Sequence, residues 1–138
     1  MQIRKLRPVA VVLLAAGAAA VGTALPASAG SYSSCGTERV CLYENNYFND
    51  QNTDHWRDFN SSDADLRNNY WKDRNGSDSN DHMDNETSSI KVNGCSVTVY
   101  QDVNYGGAQN WWGPGQVDGK LADNAIGDNR ISALRVTC

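Results

Sequence analysis

The sequence has few of the residues on which enzymes and zinc-binding domains depend. Its 138 residues include two histidines, His55 and His82, and four cysteines, none of which forms a C-x-x-C pair. The histidines lie too far from the cysteines for a zinc-finger spacing, and no G-x-S-x-G elbow of a serine hydrolase is present. No long stripe of apolar residues at helical spacing is found either. We therefore expect a protein that is not an enzyme and is not built from helices.

The one long apolar run lies at the start of the chain and has the features of a secretory signal peptide. Basic residues precede the run at 9–22, and the motif Ala-Ser-Ala at 27–29 follows it as an A-x-A cleavage site. The run is too short and too rich in alanine to be expected to span a membrane. We predict that residues 1–29 are a cleaved signal peptide and that 30–138 form one small secreted, extracellular domain.

Acidic residues dominate the predicted domain. The chain carries 12 basic and 16 acidic residues, and three of the basic residues lie within the first 29 positions. Residues 30–138 therefore have nine basic against 16 acidic side chains, a net charge of −7. Nucleic acids and anionic membranes need a basic face on their protein partner. This charge argues against both as partners and is compatible with the binding of cations.

The cysteines form an even set in a small chain that is predicted to be secreted, which indicates two disulfides. Three pairings of four cysteines are possible. We favour Cys35 with Cys41, which closes a short loop, and Cys95 with Cys138. The second bridge would join the start of one strand to the end of the last strand in the same half of the chain.

Short strand-like segments make up most of the domain. The segments 40–44, 96–101 and 131–136 are rich in β-branched or aromatic residues and are bounded by Gly, Asn or Asp. In the second of them, Val97 and Val99 alternate with Ser, Thr and Tyr, as expected of a strand with one buried face. The pattern predicts an all-β fold.

The same order of residues occurs twice. Each copy has a Tyr, a second aromatic residue five positions later, then Trp, then Leu, and finally an Asp-Asn stretch. The aligned positions are Tyr43 and Tyr100, Phe48 and Tyr105, Trp56 and Trp111-Trp112, Leu66 and Leu121, and the stretches DNETSS (84–89) and DNRISA (128–133). Two repeats are too few to close a propeller. Two Greek keys packed as a sandwich are therefore expected.

These motifs resemble the Greek keys of βγ-crystallins, which read Y-x-x-x-x-[FY]-x-G and then [DN]-[DN]-x-x-[ST]-S. Tyr100, Tyr105 and Gly107 match the first motif fully, whereas the first copy has Asp50 in place of the Gly. We expect Asp50 to adopt the positive φ of that Gly. The stretch at 84–89 matches the second motif fully, whereas Ala133 replaces the final Ser of the second copy.

The resemblance implies a βγ-crystallin-like sandwich of two Greek-key motifs, stabilised by disulfides. Key one would span about 36–93, with a loop insertion at 68–83, and key two about 94–138. Such a domain is expected to be a monomer.

The resemblance also implies two calcium sites, each built from both Asp-Asn stretches. Each site would take a main-chain carbonyl and a Ser hydroxyl from one stretch and an Asn side chain from the other. The ligands would be the Glu86 carbonyl, Ser88 and Asn129 in one site and the Arg130 carbonyl, Ser132 and Asn85 in the other, with a hairpin residue near Glu44 or Gln101 completing each. Oxygen atoms of this kind suit calcium. The alternative is that both stretches are polar turns bonded to their own backbone.

A narrower resemblance concerns the framework segments CLYENNYF (41–48), DADLRN (63–68) and VYQDVNYGG (99–107). They are similar to actinobacterial proteins of the Streptomyces metalloproteinase inhibitor family. This implies a secreted peptidase inhibitor whose partner is an extracellular metalloprotease, although no reactive-site residue can be assigned. The alternatives are a calcium-binding structural or stress protein and a glycan- or cell-surface-binding module that uses an exposed Trp. Trp71, in the insertion, is the best candidate for that Trp.

Overall fold

The structure, a computed structural model, describes residues 35–50 and 52–138. The predicted signal peptide and the first residues of the predicted domain, 30–34, lie outside this part of the chain. Within it, no helix has the length and apolar character needed to cross a membrane.

Nine β-strands and four helical turns make up the described residues. The strands are β1 (Arg39–Tyr43), β2 (Trp56–Phe59), β3 (Tyr70–Lys72), β4 (Asp78–His82), β5 (Ser89–Asn93), β6 (Ser96–Asp102), β7 (Gly106–Trp112), β8 (Val117–Asp118) and β9 (Ala133–Thr137). The turns are an α-type turn at Asn46–Asn49 and 3₁₀ turns at Leu66–Asn68, Val103–Tyr105 and Leu121–Asp123. The predicted all-β class is confirmed.

The strands form two antiparallel sheets. The larger has the order β4-β3-β2-β1-β5-β8, and the smaller has the order β7-β6-β9. Each half of the chain contributes to the sheet of the other half: Asp118 on β8 pairs with Ile90 on β5, and Asp63 forms a bridge with Leu134 on β9. This reciprocal exchange ties the two Greek keys into one unit.

The main hydrophobic core is built from the inward faces of both sheets. It contains Val40, Leu42, Ile90, Val92, Val97, Val99 and Leu134, together with Leu66 and Leu121, which begin two of the 3₁₀ turns. Leu66 and Leu121 are fully buried, and burial of a leucine side chain contributes about 1.5–3 kcal/mol. The alignment of these two leucines between the halves is therefore confirmed.

A second cluster covers the opposite face of β1. Cys41 and Tyr43 pack there with Trp56, against Cys35 and Phe48. Strand β1 is thus covered on both faces, which explains why its sequence, RVCLY, does not alternate between apolar and polar residues. The structure contains the disulfides Cys35–Cys41, within this cluster, and Cys95–Cys138.

The aromatic pairs of the two repeats adopt the same geometry. The rings of Tyr43 and Phe48 meet edge to face at 5.9 Å, and those of Tyr100 and Tyr105 meet in the same way at 5.4 Å. The alignment of Trp56 with Trp111-Trp112, by contrast, is wrong. Thirteen residues separate Tyr43 from its cross-strand partner Trp56, whereas nine separate Tyr100 from its partner Gln109. The first hairpin is longer, so Trp56 corresponds to Gln109.

This longer hairpin also explains why Asp50 departs from the expected conformation. Its φ is −36°, not positive. Tyr47, Phe48 and Asn49 carry the positive φ values instead, at 55°, 63° and 59°. The left-handed residues of this turn precede Asp50, so no glycine is needed at that position.

The insertion at 68–83 is not a loop, as the sequence suggested, but a hairpin. Strands β3 and β4 pair antiparallel at the edge of the larger sheet. Trp71 on β3 is fully buried in the main core. Its indole nitrogen donates a hydrogen bond to the Glu86 carboxylate at 3.0 Å. The proposal that Trp71 is an exposed binding residue is therefore wrong.

Candidate functional site

The two Asp-Asn stretches lie beside each other, although they are far apart in sequence. The backbone amide of Asn85 donates to the carbonyl of Ile131, and the amide of Asn129 donates to the carbonyl of Thr87, both at 3.1 Å. The two contacts are equivalent in the two halves. The stretches therefore form one structural unit with approximate twofold symmetry.

Their polar side chains meet in crossed pairs. The hydroxyl of Ser88 donates to Oδ1 of Asn129 at 3.2 Å, and the hydroxyl of Ser132 donates to Oδ1 of Asn85 at 3.2 Å. Both serines are 5% exposed. These are the Ser–Asn combinations that the resemblance implied for the two sites.

The backbone holds both asparagines in an uncommon conformation. Asn85 has a φ of 58° and Asn129 a φ of 54°. Among residues with a side chain, Asn tolerates this left-handed region better than most. The requirement for Asn at the second position of each stretch is thus partly conformational.

Main-chain hydrogen bonds fix each serine to a strand of its own half and to a 3₁₀ turn of the other half. The amide of Ser88 donates to the carbonyl of Tyr43, and its carbonyl accepts from Leu121, both at 2.9 Å. Ser132 makes the matching contacts with Tyr100 and Leu66, again at 2.9 Å. The hairpin residues expected near each site, Glu44 and Gln101, directly follow Tyr43 and Tyr100 in the chain.

Each stretch also contains a carboxylate oxygen that lacks a partner. Oδ1 of Asp84 and Oδ1 of Asp128 are buried, and neither has a hydrogen-bond partner among the described residues. Burial of an unpaired acceptor costs about 1–3 kcal/mol, and more when it is charged. Two equivalent carboxylates of this kind create a local demand for a cation or for water.

The remaining predicted residues are placed as follows. The Glu86 side chain is occupied by Trp71, so only its carbonyl remains for the predicted role. Arg130 is exposed, and Gln101 is half-buried. The Glu44 carboxylate accepts from His55 at 2.7 Å, which places it in a different cluster.

The final Ser of the first stretch has a structural role. Its hydroxyl donates to the carbonyl of Asn45 at 2.6 Å and accepts from the amide of Phe48 at 3.0 Å, so Ser89 fastens the turn that carries the aromatic pair. Ala133 occupies the equivalent position in the second half and cannot make these bonds. The replacement leaves the crossed pairs themselves intact.

A basic residue lies near the first stretch. The guanidinium of Arg67 contacts the Asp65 carboxylate at 2.7 Å. This hydrogen bond lowers the pKa of Asp65 and raises that of Arg67, to which the charge of Asp84 makes a smaller contribution. Arg67 is already paired with Asp65, so its charge is only partly available to Asp84.

An exposed aromatic residue lies away from the stretches, on the outer face of the smaller sheet. Trp111 is 60% exposed, and it lines a shallow groove with Thr98, Tyr100, Gln109 and Asn110. Its ring lies over the backbone of Gly113, where a Cβ atom would approach it to 2.7 Å. Trp112, the next residue, is buried, as alternation along a strand requires.

The two exchanged Greek keys with their crossed Asp-Asn stretches define a βγ-crystallin fold. Solved structures agree: a βγ-crystallin domain studied for the evolution of the eye-lens fold has a TM-score of 0.57 and 19% identity, over 73% of this chain and 86% of its own. A βγ-crystallin from Ciona intestinalis has a TM-score of 0.51 and 19% identity, over 70% of this chain and 96% of its own. At these identities the likeness concerns the fold alone. No protein-family profile and no curated protein matches the sequence.

Proposed function

We propose that this protein is a secreted, calcium-binding domain that holds two calcium ions between its Asp-Asn stretches. The observation that carries the proposal is the crossed approach of Ser88 to Asn129 and of Ser132 to Asn85. Two oxygen atoms that bind one calcium ion at about 2.4 Å lie about 3 Å apart. The spacing of each pair therefore suits a shared ion as well as a hydrogen bond.

The chemistry of the surrounding atoms supports a hard cation. All the predicted ligands supply oxygen, which calcium prefers. The partnerless carboxylate oxygens of Asp84 and Asp128, which precede Asn85 and Asn129 in the chain, add negative charge to the two stretches. The two disulfides are typical of an oxidising compartment outside the cytoplasm, where calcium reaches the millimolar range that suits extracellular sites of about 10⁻⁴–10⁻³ M affinity.

The test is the melting temperature with calcium and with a chelator. At ten times its dissociation constant, calcium adds about 1.4 kcal/mol per site to the free energy of unfolding. We expect a rise in melting temperature that is lost in the double variant Ser88→Ala/Ser132→Ala. Alanine is chosen because both serines are buried and a larger side chain would disturb the fold. An unchanged melting temperature of the wild-type protein at millimolar calcium would contradict the proposal.

Ser89→Ala is the matched control. Ser89 belongs to the same stretch and is also buried, but its hydrogen bonds fasten the turn at Asn45 and Phe48. The variant is expected to melt at a lower temperature in chelator and to keep the full increase on addition of calcium. Loss of the increase in this variant would show that any buried Ser of the stretch produces the effect.

A second candidate function is inhibition of an extracellular metalloprotease, which the sequence resemblance suggests. The observation that favours it is the rigid, exposed tip of the β3–β4 hairpin, residues 74–77. The Asp73 carboxylate accepts hydrogen bonds from the amides of Asn75 at 2.8 Å and Ser77 at 3.0 Å, and Asp54 accepts one from the amide of Arg74 at 2.7 Å. A tip that is fixed before binding loses little conformational entropy on association.

This candidate is tested by inhibition assays against thermolysin-type metalloproteases. Inhibition should weaken when Asp73→Ala loosens the tip, and it should be unchanged by Gln116→Ala in the β7–β8 turn. The absence of inhibition at micromolar excess over several metalloproteases would remove this candidate without affecting the calcium proposal.

The alternative of glycan binding is favoured by the exposure of Trp111. An exposed indole beside the amides of Gln109 and Asn110 suits the stacking and hydrogen bonding of a sugar ring. A pull-down on chitin or cell wall is the test. Retention that is lost in Trp111→Ala would support it, and the absence of retention would exclude these ligands.

A further inference from the structure

We propose that Glu44, His55 and Asp81 form a binding site for a divalent transition-metal ion such as Zn²⁺, separate from the Asp-Asn stretches. Nδ1 of His55 lies 2.7 Å from Oε2 of Glu44 and 3.8 Å from Oδ2 of Asp81. One ligand atom from each side chain lies within 4.8 Å of the other two. In the described part of the chain, this is the only such group of three His, Cys, Asp or Glu side chains.

The ligand types point to zinc-like ions and not to calcium. Calcium takes oxygen ligands, whereas zinc binds an imidazole nitrogen at about 2.0–2.1 Å and carboxylate oxygens at about 2.0–2.2 Å. Ligand atoms on a tetrahedral ion with these bonds are about 3.3 Å apart. The two observed distances from Nδ1 of His55, 2.7 Å and 3.8 Å, lie on either side of this value. Two carboxylates neutralise the dication, and water can take the fourth position.

The histidine is held in place by its backbone. The amide of His55 donates to the carbonyl of Lys72 at 2.7 Å, and its carbonyl accepts from the amide of Glu44 at 3.1 Å and from Nδ2 of Asn49 at 2.7 Å. The backbone keeps a φ of 61° under these restraints. The imidazole is therefore positioned before an ion arrives, which lowers the entropy lost on binding.

The three ligands come from separate parts of the larger sheet. Glu44 follows β1, His55 precedes β2, and Asp81 lies on the edge strand β4. A bound ion would fasten the inserted hairpin to the first hairpin, so zinc is expected to raise the melting temperature. The positions equivalent to Glu44 and His55 in the second half are Gln101 and Ala108. One ion per chain is therefore expected.

The test is isothermal titration calorimetry, in which Zn²⁺ is titrated into the protein. The protein is produced without a polyhistidine tag. The chain offers a matched control in its two histidines, because the ring of His82 stacks on Tyr70 at 4.2 Å outside the cluster. His55→Gln is expected to weaken zinc binding at least about tenfold, and His82→Gln to leave it unchanged. Asp81→Asn, at an exposed edge, is a second loss variant that should leave the fold intact.

The result separates this proposal from calcium binding. The Ser88→Ala/Ser132→Ala variant should bind zinc as the wild type does, and millimolar calcium should not displace it. Three results would overturn the proposal: no zinc binding by the wild-type protein, equal loss in His55→Gln and His82→Gln, or unchanged binding in both His55→Gln and Asp81→Asn. Each would mean that the three side chains form a hydrogen-bonded cluster and not a metal site.

Discussion

The hydroxyl of Ser88 lies 3.2 Å from Oδ1 of Asn129, although 41 residues separate them along the chain. The pair joins the first Greek key to the second, and Ser132 and Asn85 join them again in the opposite sense. An ion shared by either pair would therefore bind only when both keys are folded together. Calcium would stabilise the whole domain and not a local loop, because it binds the folded state alone.

Glycine substitutions can separate the two proposed sites. Asn129→Gly removes the amide oxygen and keeps the left-handed backbone, which glycine adopts without strain. We expect it to reduce calcium binding from two ions to one, as measured by calorimetry, and Asn85→Gly to remove the other ion. Asn129→Ala should lose the same ion. In chelator, its free energy of unfolding should also be about 1 kcal/mol lower than that of the wild type, because Ala resists positive φ. Retention of both ions by Asn129→Gly would exclude Asn129 as a ligand.

The two disulfides should differ in their contribution to stability. Cys95–Cys138 closes a separation of 43 residues, whereas Cys35–Cys41 closes one of six. The loss of chain entropy in the unfolded state predicts about 4 kcal/mol for the longer loop and about 2 kcal/mol for the shorter one. Urea unfolding of Cys95→Ala/Cys138→Ala and of Cys35→Ala/Cys41→Ala tests this order. A larger loss of stability in Cys35→Ala/Cys41→Ala would mean that packing around Cys41 contributes more than the entropy of loop closure.

Gly107 is required both for its backbone angle and for the space around it. Its φ is +74°, and an added Cβ would lie 2.6 Å from Oδ2 of Asp102 and 3.0 Å from Cβ of Gln101. Gly115 has a similar φ of +79° but nothing within 4 Å. Gly115→Ala should therefore lower the free energy of unfolding by about 1 kcal/mol, because of backbone strain. Gly107→Ala should lower it by about 1–3 kcal/mol more, because of overpacking. Equal losses in urea unfolding would mean that the turn at Gly107 opens without cost.

The crossed pairs could be predicted because the two local motifs resemble those of βγ-crystallins, and this resemblance implies that the Ser of each stretch meets the Asn of the other. DNETSS and DNRISA each end in a residue that begins a strand and pairs with an aligned Tyr, Ser89 with Tyr43 and Ala133 with Tyr100. Once Tyr43 and Tyr100 are aligned, the Ser and Asn positions are aligned with them. The buried leucines that open the 3₁₀ turns were predictable for the same reason.

The inserted hairpin could not be predicted, because its strands carry no apolar alternation. β4 reads DSNDH and presents exposed or half-buried side chains throughout. It is held by backbone pairing with β3, whose Trp71 is buried in the main core. The sequence also could not show that Trp111 is exposed and Trp112 is buried. Adjacent residues on a strand face opposite sides, and the sequence does not say which side faces the core. The pairing of Val97 with Trp112 decides which of them is buried.

The cluster around His55 was missed because its side chains are far apart in sequence. Glu44, His55 and Asp81 follow no recognised spacing, and Asp81 comes from the hairpin that was mistaken for a loop. The signal that could have found it is the position of His55 immediately before the strand that pairs with β1. That position places its side chain near the residue that follows Tyr43.

Tyr43 should make the domain sensitive to alkali. Its hydroxyl is buried and has no hydrogen-bond partner among the described residues. Burial, and secondarily the charge of Asp58, raise the pKa of Tyr43 from 10.0 to about 12. The unfolded chain releases this proton first, so the contribution to stability is complete below pH 10 and is lost as pH rises towards 12. A shift of this size corresponds to about 2–3 kcal/mol.

Tyr43→Phe should remove this dependence. At pH 8 the variant should be at least as stable as the wild type, because an unpartnered hydroxyl is no longer buried. Between pH 10 and 12 its free energy of unfolding, measured in urea, should fall by about 2 kcal/mol less than that of the wild type. Tyr47→Phe is the control, since the Tyr47 ring is 64% exposed, and it should follow the wild-type curve. An alkaline loss in Tyr43→Phe equal to that of the wild type would mean that another group governs unfolding at high pH.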